Sequence, residues 1–561
     1  MLITAITIEN FKGIQKPVRV ELKPITLFFG PNSAGKSTII QAMHYAHEIF
    51  ERQNLNPDQT LLGGEAIDLG GFESMVNGHD KTKPIKLSFD LDLQERRLPE
   101  YSDDLEFYGT DFLEQYSDDL ADVVKRVTSA VVKVTVTWSD RCEKAYVSEY
   151  SVSTNGEKLV NIVPSEDAQE IYISELNNRN PIFFENSLGE YEHDFKKALE
   201  NRRADDKART IESLENLNNI TPEERAQYLA AIKDTKFSDV DVEWNQHLNN
   251  RILIESNKKI RLKHQSSALP NWGKNLSIVC DLIDNNTNDG FNHFDVFVQI
   301  NRDRRLSSLI TGPGELVRDE LKKLCYIGPI RKILPRGYKP FSSPLSLNRW
   351  ADGLAAYGVL LNSDEPFLEN VNSWMANEDR LSSGYNVEVK KYRELPENFD
   401  EDVNLLPLQR RLLIRDKARD IELSPHDIGV GISQVLPVVV AALHRESGVV
   451  AIEQPELHIH PAFQVALGDL FIEQIRQRSG LTFILETHSE HLMLRFLRRV
   501  RETGENKAPE NLTLVPEDLS INFIETDKNG ISCFTIRVDD DGEFIDRWPQ
   551  GFFVERREEL L

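Results

Sequence analysis

Pro24-Ile25-Thr26-Leu27-Phe28-Phe29-Gly30-Pro31-Asn32-Ser33-Ala34-Gly35-Lys36-Ser37 decides the fold. Ile25 to Phe29 is an apolar run that reads as a buried strand, and it stops at a glycine. From Ser37 to Phe50, Ile40, Met43, His44 and His47 recur at helical spacing. Between strand and helix, Gly30 to Ser37 fits the Gly-x4-Gly-Lys-Ser pattern of a phosphate-binding loop. Glycines let backbone N–H groups turn around a β-phosphate, Lys36 supplies a point charge to the β/γ oxygens, and Ser37 offers a hydroxyl to Mg²⁺. The helix N-terminus adds its partial positive charge. Asn32, Ser33, Ala34, Gly35, Lys36, Ser37 and Thr38 are therefore the expected nucleotide contacts. A chance glycine loop is the bland alternative, and the flanking strand and helix argue against it.

Outward from this loop, Leu2 to Glu9 and Val18 to Leu22 read as strands, and residues 61–79 as a glycine-punctuated loop with a short helix. Ile85 to Leu93, Val131 to Trp138 and Ala145 to Ser153 read as strands, with Asn155-Gly156 a hairpin turn. Residues 99–122 are acidic and repeat Tyr-Ser-Asp-Asp-Leu at 101–105 and 116–120, which reads as two solvated helical turns. Residues 191–235 are charged and helical, and Thr221-Pro222-Glu223-Glu224 places a capping-box start there. No long heptads and no solenoid repeat occur.

Three further stretches carry chemistry. Val449-Val450-Ala451-Ile452-Glu453 is an apolar strand ending in an acid, the Walker B logic of a carboxylate held near a metal. His458 and His460 come next at a spacing poor for metal ligation, so structural histidines are expected. Leu481 to Leu485 runs into Glu486-Thr487-His488-Ser489, where a strand-end histidine can reach a γ-phosphate or an attacking water. Asp427-Ile428-Gly429-Val430-Gly431-Ile432-Ser433-Gln434 precedes an apolar helix and makes an anion-binding nest. Ser433 lies 20 residues before Glu453, and His488 lies 35 after it.

Composition bounds the rest. The chain has 561 residues, enough for two to four domains, and 40% of them are hydrophobic, enough for a sizeable core. Lys plus Arg is 66 against 91 Asp plus Glu, a formal charge of −25, which argues against a broad nucleic-acid coating but not against a local basic groove. The clusters Lys258, Lys259, Arg261, Lys263 and Arg302, Arg304, Arg305 read first as solvated faces. Four dispersed cysteines disfavour a disulfide framework or a zinc site and fit a reducing cytoplasm. The longest apolar run, Val435 to Leu443, is far short of a membrane span, and Met1 to Asn10 lacks the basic start of a signal peptide.

The order of phosphate loop, serine nest, acidic strand end and strand-end histidine resembles the ABC-type ATPase head of chromosome-maintenance (SMC) proteins and their repair relatives. Within it the chain is similar to defence ATPases related to the OLD family. Ile8-Glu9-Asn10-Phe11-Lys12 looks like their first-strand motif, and Asp427 to Gln434 like their signature. Tyr326-Ile327-Gly328-Pro329-Ile330-Arg331, Trp350-Ala351-Asp352-Gly353 and the terminal Trp548-Pro549-Gln550-Gly551-Phe552-Phe553 resemble the PtuA-type ATPases of Septu and retron anti-phage systems. The resemblance implies an α/β fold, a P-loop head with a mixed sheet built from residues 1–95 and 321–561, and a mixed α+β insert at 96–320. It implies ATP and Mg²⁺ as cofactors, with Ser37 and Glu453 as metal-side residues. It implies a head-to-tail homodimer in which Gly431, Ser433 and Gln434 meet the partner's γ-phosphate, with His488 as the switch histidine.

One departure stands out. The residue after the metal-side acid is ordinarily a catalytic glutamate, and here it is Gln454, which cannot accept a proton. Glu456 is the nearest substitute, and without base help, typically worth about 10²–10⁴-fold, hydrolysis is expected to be slow. Only 73 residues lie beyond His488, too few for the Toprim nuclease of OLD proteins, and no His-Asn-His spacing occurs. The resemblance implies an HNH nuclease partner in trans, PtuB-like, and in retrons a reverse transcriptase with its multicopy single-stranded DNA. An SMC-like repair ATPase that clamps DNA and a nucleotide-dependent scaffold are the competing readings.

Overall fold

A computed structural model describes residues 2–94, 96–101, 124–177, 180, 182, 259–278, 293–335, 349–397 and 402–549, the first ten residues of the 293–322 helix by backbone alone. The chain begins with β1 (Ile3–Glu9), β2 (Val18–Glu21), β3 (Ile25–Phe29) and helix α1 (Lys36–Arg52). The hairpin β4 (Gln59–Thr60) and β5 (Gly64–Asp68) and helix α2 (Gly71–Met75) lead to β6 (Ile85–Asp92). Then come β7 (Ser129–Ser139), β8 (Lys144–Thr154), β9 (Glu157–Pro164), β10 (Ile171–Leu176), β11 (Ile260–Lys263) and β12 (Ser277–Ile278). Helix α3 (His293–Lys322), β13 (Cys325–Ile327), α4 (Leu354–Asn362) and α5 (Glu365–Ala376) precede the hairpin β14 (Tyr385–Tyr392) and β15 (Gln409–Asp416), with β16 (Ile421–Leu423) beside it. The chain closes with α6 (Val430–His444), β17 (Gly448–Glu453), α7 (Pro461–Gln477), β18 (Leu481–Glu486), α8 (Glu490–Gly504), β19 (Leu519–Asp527) and β20 (Gly530–Ile536).

The central sheet has the order β13-β17-β18-β3-β19-β20. Its first five strands are parallel, and β20 returns antiparallel to β19. β3 therefore sits between β18 and β19, so both ends of the sequence build one sheet. β3, β17 and β18 are buried along their whole length. That is why they read as continuous apolar runs rather than as alternating ones. Their side chains alternate between two cores: Phe28, Ala451 and Ile484 pack toward α1 and the antiparallel sheet begun by β1, while Leu27, Ile452 and Leu485 pack toward α6, α7 and α8.

The second sheet is antiparallel, with the order β12-β11-β10-β9-β8-β7-β6-β1-β2. It crosses residue 95, the boundary drawn from sequence, through the pairing of β6 with β7, and the insert's strands extend the sheet that β1 begins. The Asn155-Gly156 turn forms as expected: both residues have positive φ, +48° and +84°, and Thr154 faces Glu157 across it. The acidic repeat after Tyr101, the Thr221–Glu224 cap, Lys258 and the end of the terminal motif from Gln550 lie outside the described residues. Among the described residues, no helix is long and apolar enough to cross a membrane.

Candidate functional site

β3 delivers the chain to the carboxyl edge of the parallel sheet, where the loop must turn back on itself. Gly30 has φ +145°, and a Cβ there would fall 2.0 Å from the Ile524 carbonyl oxygen. Gly35 has φ +91°, with a Cβ position 2.1 Å from Ile531 Cδ1. At Gly30 a side chain would strike backbone, and at Gly35 the positive φ strains any other residue even where the Ile531 side chain gives way. Ser33, at φ +63°, completes the reversal, and Asn32 and Ser33 stand exposed at its tip. Ala34 is buried, and its carbonyl accepts from Thr526 Oγ1 at 2.9 Å. Thr38 is also buried, in the first turn of α1, where its N–H donates to Gly35 O at 3.0 Å.

Lys36 folds inward. Its Nζ donates to Gly30 O at 3.2 Å and Pro31 O at 2.9 Å, and lies 4.0 Å from Glu486 Oε1. Burial lowers its pKa, while Glu486, Glu453 and Glu456 oppose that shift. A buried cation held on loop carbonyls is poised to exchange them for phosphate oxygens.

Ser37 Oγ lies between two carboxylates, 2.7 Å from Glu486 Oε2 and 3.3 Å from Glu453 Oε2. Glu453 and Glu486 end the parallel neighbours β17 and β18 and pair in register. Tyr326 OH donates to Glu453 Oε1 at 3.0 Å. Burial raises the pKa of both acids. The charge of Glu486 adds to the rise of Glu453, which is pushed up to about 7, and the charge of Glu456 adds to that of Glu486. Glu486 is the residue the sequence reading missed. Its signal was present, an acid closing a largely apolar strand as Glu453 does, but only strand pairing reveals that the two converge. Two carboxylates and a hydroxyl are hard oxygen donors that suit Mg²⁺, which keeps waters and takes its remaining ligands from phosphates. Among the described residues no group of three or more His, Cys, Asp or Glu could hold a metal ion alone.

Glu456 accepts from Thr487 Oγ1 at 2.7 Å and from the His488 N–H at 2.8 Å. Burial raises its pKa. His488 is next in the chain; burial and then Lys36 lower its pKa, so the ring is neutral, and its Nε2 is buried with no partner. Gln454 sits at φ +46°, with its N–H on Glu486 O at 2.7 Å. His460 caps α7 by accepting from Ala462 N at 3.2 Å, a structural role, and His458 is exposed.

The signature segment forms the start of α6. α6 starts at an exposed Val430, and Gly431 lies beside the His458 carbonyl. Ser433, however, is fully buried, with Oγ 3.4 Å from Pro425 O, and Gln434 turns inward to donate from Nε2 to Arg331 O at 2.8 Å. Neither side chain faces outward, because both occupy the apolar face by which the helix packs. In this conformation the surface open to a partner is the glycine-rich helix start. The structure thus brings Lys36, Ser37, Glu453, Glu456 and His488 together, adds Glu486, and leaves Ser433 out.

The three motif fragments meet around this centre. Gly328 N donates to Ala351 O at 2.9 Å, and Lys332 N to Asp352 O at 2.8 Å, which ties Tyr326–Arg331 to Trp350–Gly353. Trp548 packs edge-on against Phe29, at 5.6 Å between ring centroids, and against Phe523 and Phe544. Each such pair contributes about 0.5–1.5 kcal/mol beyond burial, here at the strand that carries the loop. A cavity of about 500 Å³ opens at Lys12, Asp68, Gly70, Ser74 and His79.

The sequence matches an AAA domain family over residues 5–268. It matches a second AAA domain family, described with the AbiEii toxin and type IV toxin–antitoxin systems, over residues 343–494. Residues 514–561 match a protein family of unknown function, DUF3696. No curated protein matches the chain. Among solved structures it is similar to an Smc head bound to the C-terminal winged-helix domain of ScpA, with 9% identity, 95% of this chain and 97% of that one covered, and a TM-score of 0.36. It is similar to the Smc head with an extended coiled coil from Pyrococcus furiosus, with 9% identity, 100% and 98% covered, and a TM-score of 0.34. It is also similar to the SMC head of Thermotoga maritima, with 8% identity, 96% and 100% covered, and a TM-score of 0.33. The phosphate loop lies inside the first AAA match and the converging acids inside the second, and the central sheet draws on both ends of the sequence, as an AAA-type ATPase domain would.

Proposed function

We propose that the chain binds ATP with Mg²⁺ and hydrolyses it slowly, as the ATPase subunit of an anti-phage defence system that controls an HNH nuclease supplied in trans. The observation that carries the ATPase part is the meeting of Lys36, Ser37, Glu453 and Glu486 at one sheet edge. Residues 1–95 and 321–561 are then the two halves of the head, and 96–320 its elaboration.

In this reading the backbone of Asn32 to Lys36 cradles the phosphates and Lys36 neutralises them. Ser37, Glu453 and Glu486 would hold Mg²⁺, which supplies charge neutralisation on the phosphate oxygens. His488, neutral and with its Nε2 unpaired, accepts or donates one hydrogen bond toward the γ-phosphate side. Gln454 can orient a water but cannot take its proton. Glu456 holds the Thr487–His488 turn, and burial raises its pKa, which makes it a stronger proton acceptor than an exposed carboxylate. Two chains meet head to tail, each presenting its glycine-rich α6 start to the other's triphosphate.

The defence role is supported by the resemblance of Tyr326–Arg331, Trp350–Gly353 and the terminal motif to PtuA-type ATPases, and by the AbiEii-type match over 343–494. A long-lived ATP-bound clamp with negligible turnover is a second reading, favoured by Gln454. Mass measurement of the purified protein with ATP and Mg²⁺, alone and with an HNH partner, tests the assignment. An ATP-dependent dimer that is lost in Lys36→Ala is the expected result. A protein that stays monomeric with saturating ATP, and binds it equally well as Lys36→Ala, overturns it.

A further inference from the structure

Arg331 has no role in the reaction outlined above, yet it touches both parts of the site. It is 2% exposed. Its Nη1 donates to Gln434 O at 3.3 Å, and its Nη2 donates to Glu453 O at 2.7 Å and Gln454 O at 2.9 Å. Gln434 returns a bond from Nε2 to Arg331 O at 2.8 Å. No carboxylate among the described residues forms an ion pair with it. A buried guanidinium without a direct ion pair is expensive to keep; here three carbonyl dipoles from two elements hold it, and the charge of the buried Glu456 favours it from beyond ion-pair distance. A fold does not need such an arrangement where an apolar side chain would fill the space.

The two anchored elements are the ones the reaction must coordinate. Gln454, at φ +46°, occupies a backbone region that a glutamine leaves unless it is held. Arg331 on its carbonyl and Glu486 O on its N–H hold it. Gln434 lies in the second turn of α6, just behind the exposed glycine-rich start. The arginine is itself fixed from behind: Gly353, at φ +78°, has its Cβ position 3.3 Å from Arg331 Cβ and 3.2 Å from Pro437 Cγ of α6.

We propose that Arg331 is a positioning residue that locks the Glu453–Gln454 turn to α6, so that engagement of the α6 start by a partner's nucleotide sets the geometry of the acid-bearing turn. The proposal rests on the ATPase reading. Lysine cannot replace it, because a single ammonium lacks the planar fork that spans three carbonyls.

The test compares wild type, Arg331→Lys, Gln454→Gly and the double variant. ATP affinity, kcat, KM and the protein concentration of half-maximal ATP-driven dimerisation are measured, with melting curves as the control for folding. Arg331→Lys is expected to keep ATP affinity within about 3-fold while kcat falls roughly 10- to 100-fold, as for an ångström-scale misplacement. The dimer midpoint moves up with it. Glycine adopts positive φ without being held, so in the Gln454→Gly background the same change costs much less. Equal losses in both backgrounds, or an Arg331→Lys variant matching wild type in kcat and dimer midpoint, overturn the role. If Arg331→Lys does not fold, Gly353→Ala displaces the arginine more mildly, and the same split between affinity and dimerisation is read from it. A wild type that binds no ATP sinks the ATPase reading instead, a distinct result.

Discussion

The two sheets use the same twenty side chains under opposite constraints. In the parallel sheet, β3, β17 and β18 are covered on both faces, so no charged group stands along them before their ends, and the hydroxyls of Thr26 and Thr482 are buried. Their chemistry is forced to the strand ends, where Glu453, Glu486 and the loop after Phe29 lie side by side in register. In the antiparallel sheet β7 and β8 keep partly exposed positions along their length, and charged residues settle as local cross-strand pairs such as Lys133 Nζ on Glu149 Oε2 at 3.2 Å. Burial on both faces concentrates charge into one site, and a solvated face disperses it. Acids at the parallel edge should therefore respond strongly and jointly to perturbation, and ion pairs on the antiparallel sheet weakly and singly.

The largest effect is expected at the cation of the parallel edge. Lys36→Ala should weaken ATP binding by about 2–3 kcal/mol, roughly 30- to 150-fold in Kd by titration calorimetry, since a buried charge-assisted contact is lost. Glu486→Gln comes next. It should lower the apparent Mg²⁺ affinity, read with Mn²⁺ by electron paramagnetic resonance, by about 10-fold or more. Metal-free ATP binding should be unchanged or improved, because a repelling carboxylate is gone. If Glu486 were an ordinary strand end, both readouts would stay flat.

Glu456→Gln tests the base role. A fall in turnover of about 10²-fold, with KM unchanged, is expected if Glu456 takes the proton; unchanged turnover removes it from that role. The pH dependence sharpens the contrast further. Glu453 and Glu486 both have folded values above the ordinary carboxylate one, so their contribution to stability is intact below the unfolded pKa and is lost as pH rises through the folded values, about 7 for Glu453. Relative to Glu453→Gln, the nucleotide-free wild type should lose roughly 2–4 °C of Tm between pH 5 and pH 8, and Mg²⁺ should restore it. The smallest effect belongs to the antiparallel sheet. Lys133→Ala should cost less than about 1 kcal/mol in urea unfolding and leave ATP affinity unchanged, because the pair is half-exposed.

Much of the site is legible from neighbours in sequence. Gly30 to Ser37 is contiguous, and its function comes from local backbone geometry that glycines permit. The apolar strands announce themselves because burial on both faces leaves no alternation to confuse. Glu486 escapes a sequence reading because its significance depends on β18 pairing beside β17, and Glu453 is 33 residues away along the chain. A glycine-rich helix start does not say which way Ser433, the fourth helical residue, points; packing of α6 turns it inward. The continuity of the 96–320 strands with β6 is hidden for the same reason.

The amino-acid order alone determined the phosphate loop, the strand runs that flank it, the Asn155-Gly156 turn and the neutral Gln454, since each depends on residues within a few positions of one another. Only the tertiary structure decided that two acids share one hydroxyl, that Arg331 binds two elements at once, and which end of α6 is open. Those depend on strand pairing and burial between distant segments, whose energies are set by neighbours in space rather than by neighbours along the chain.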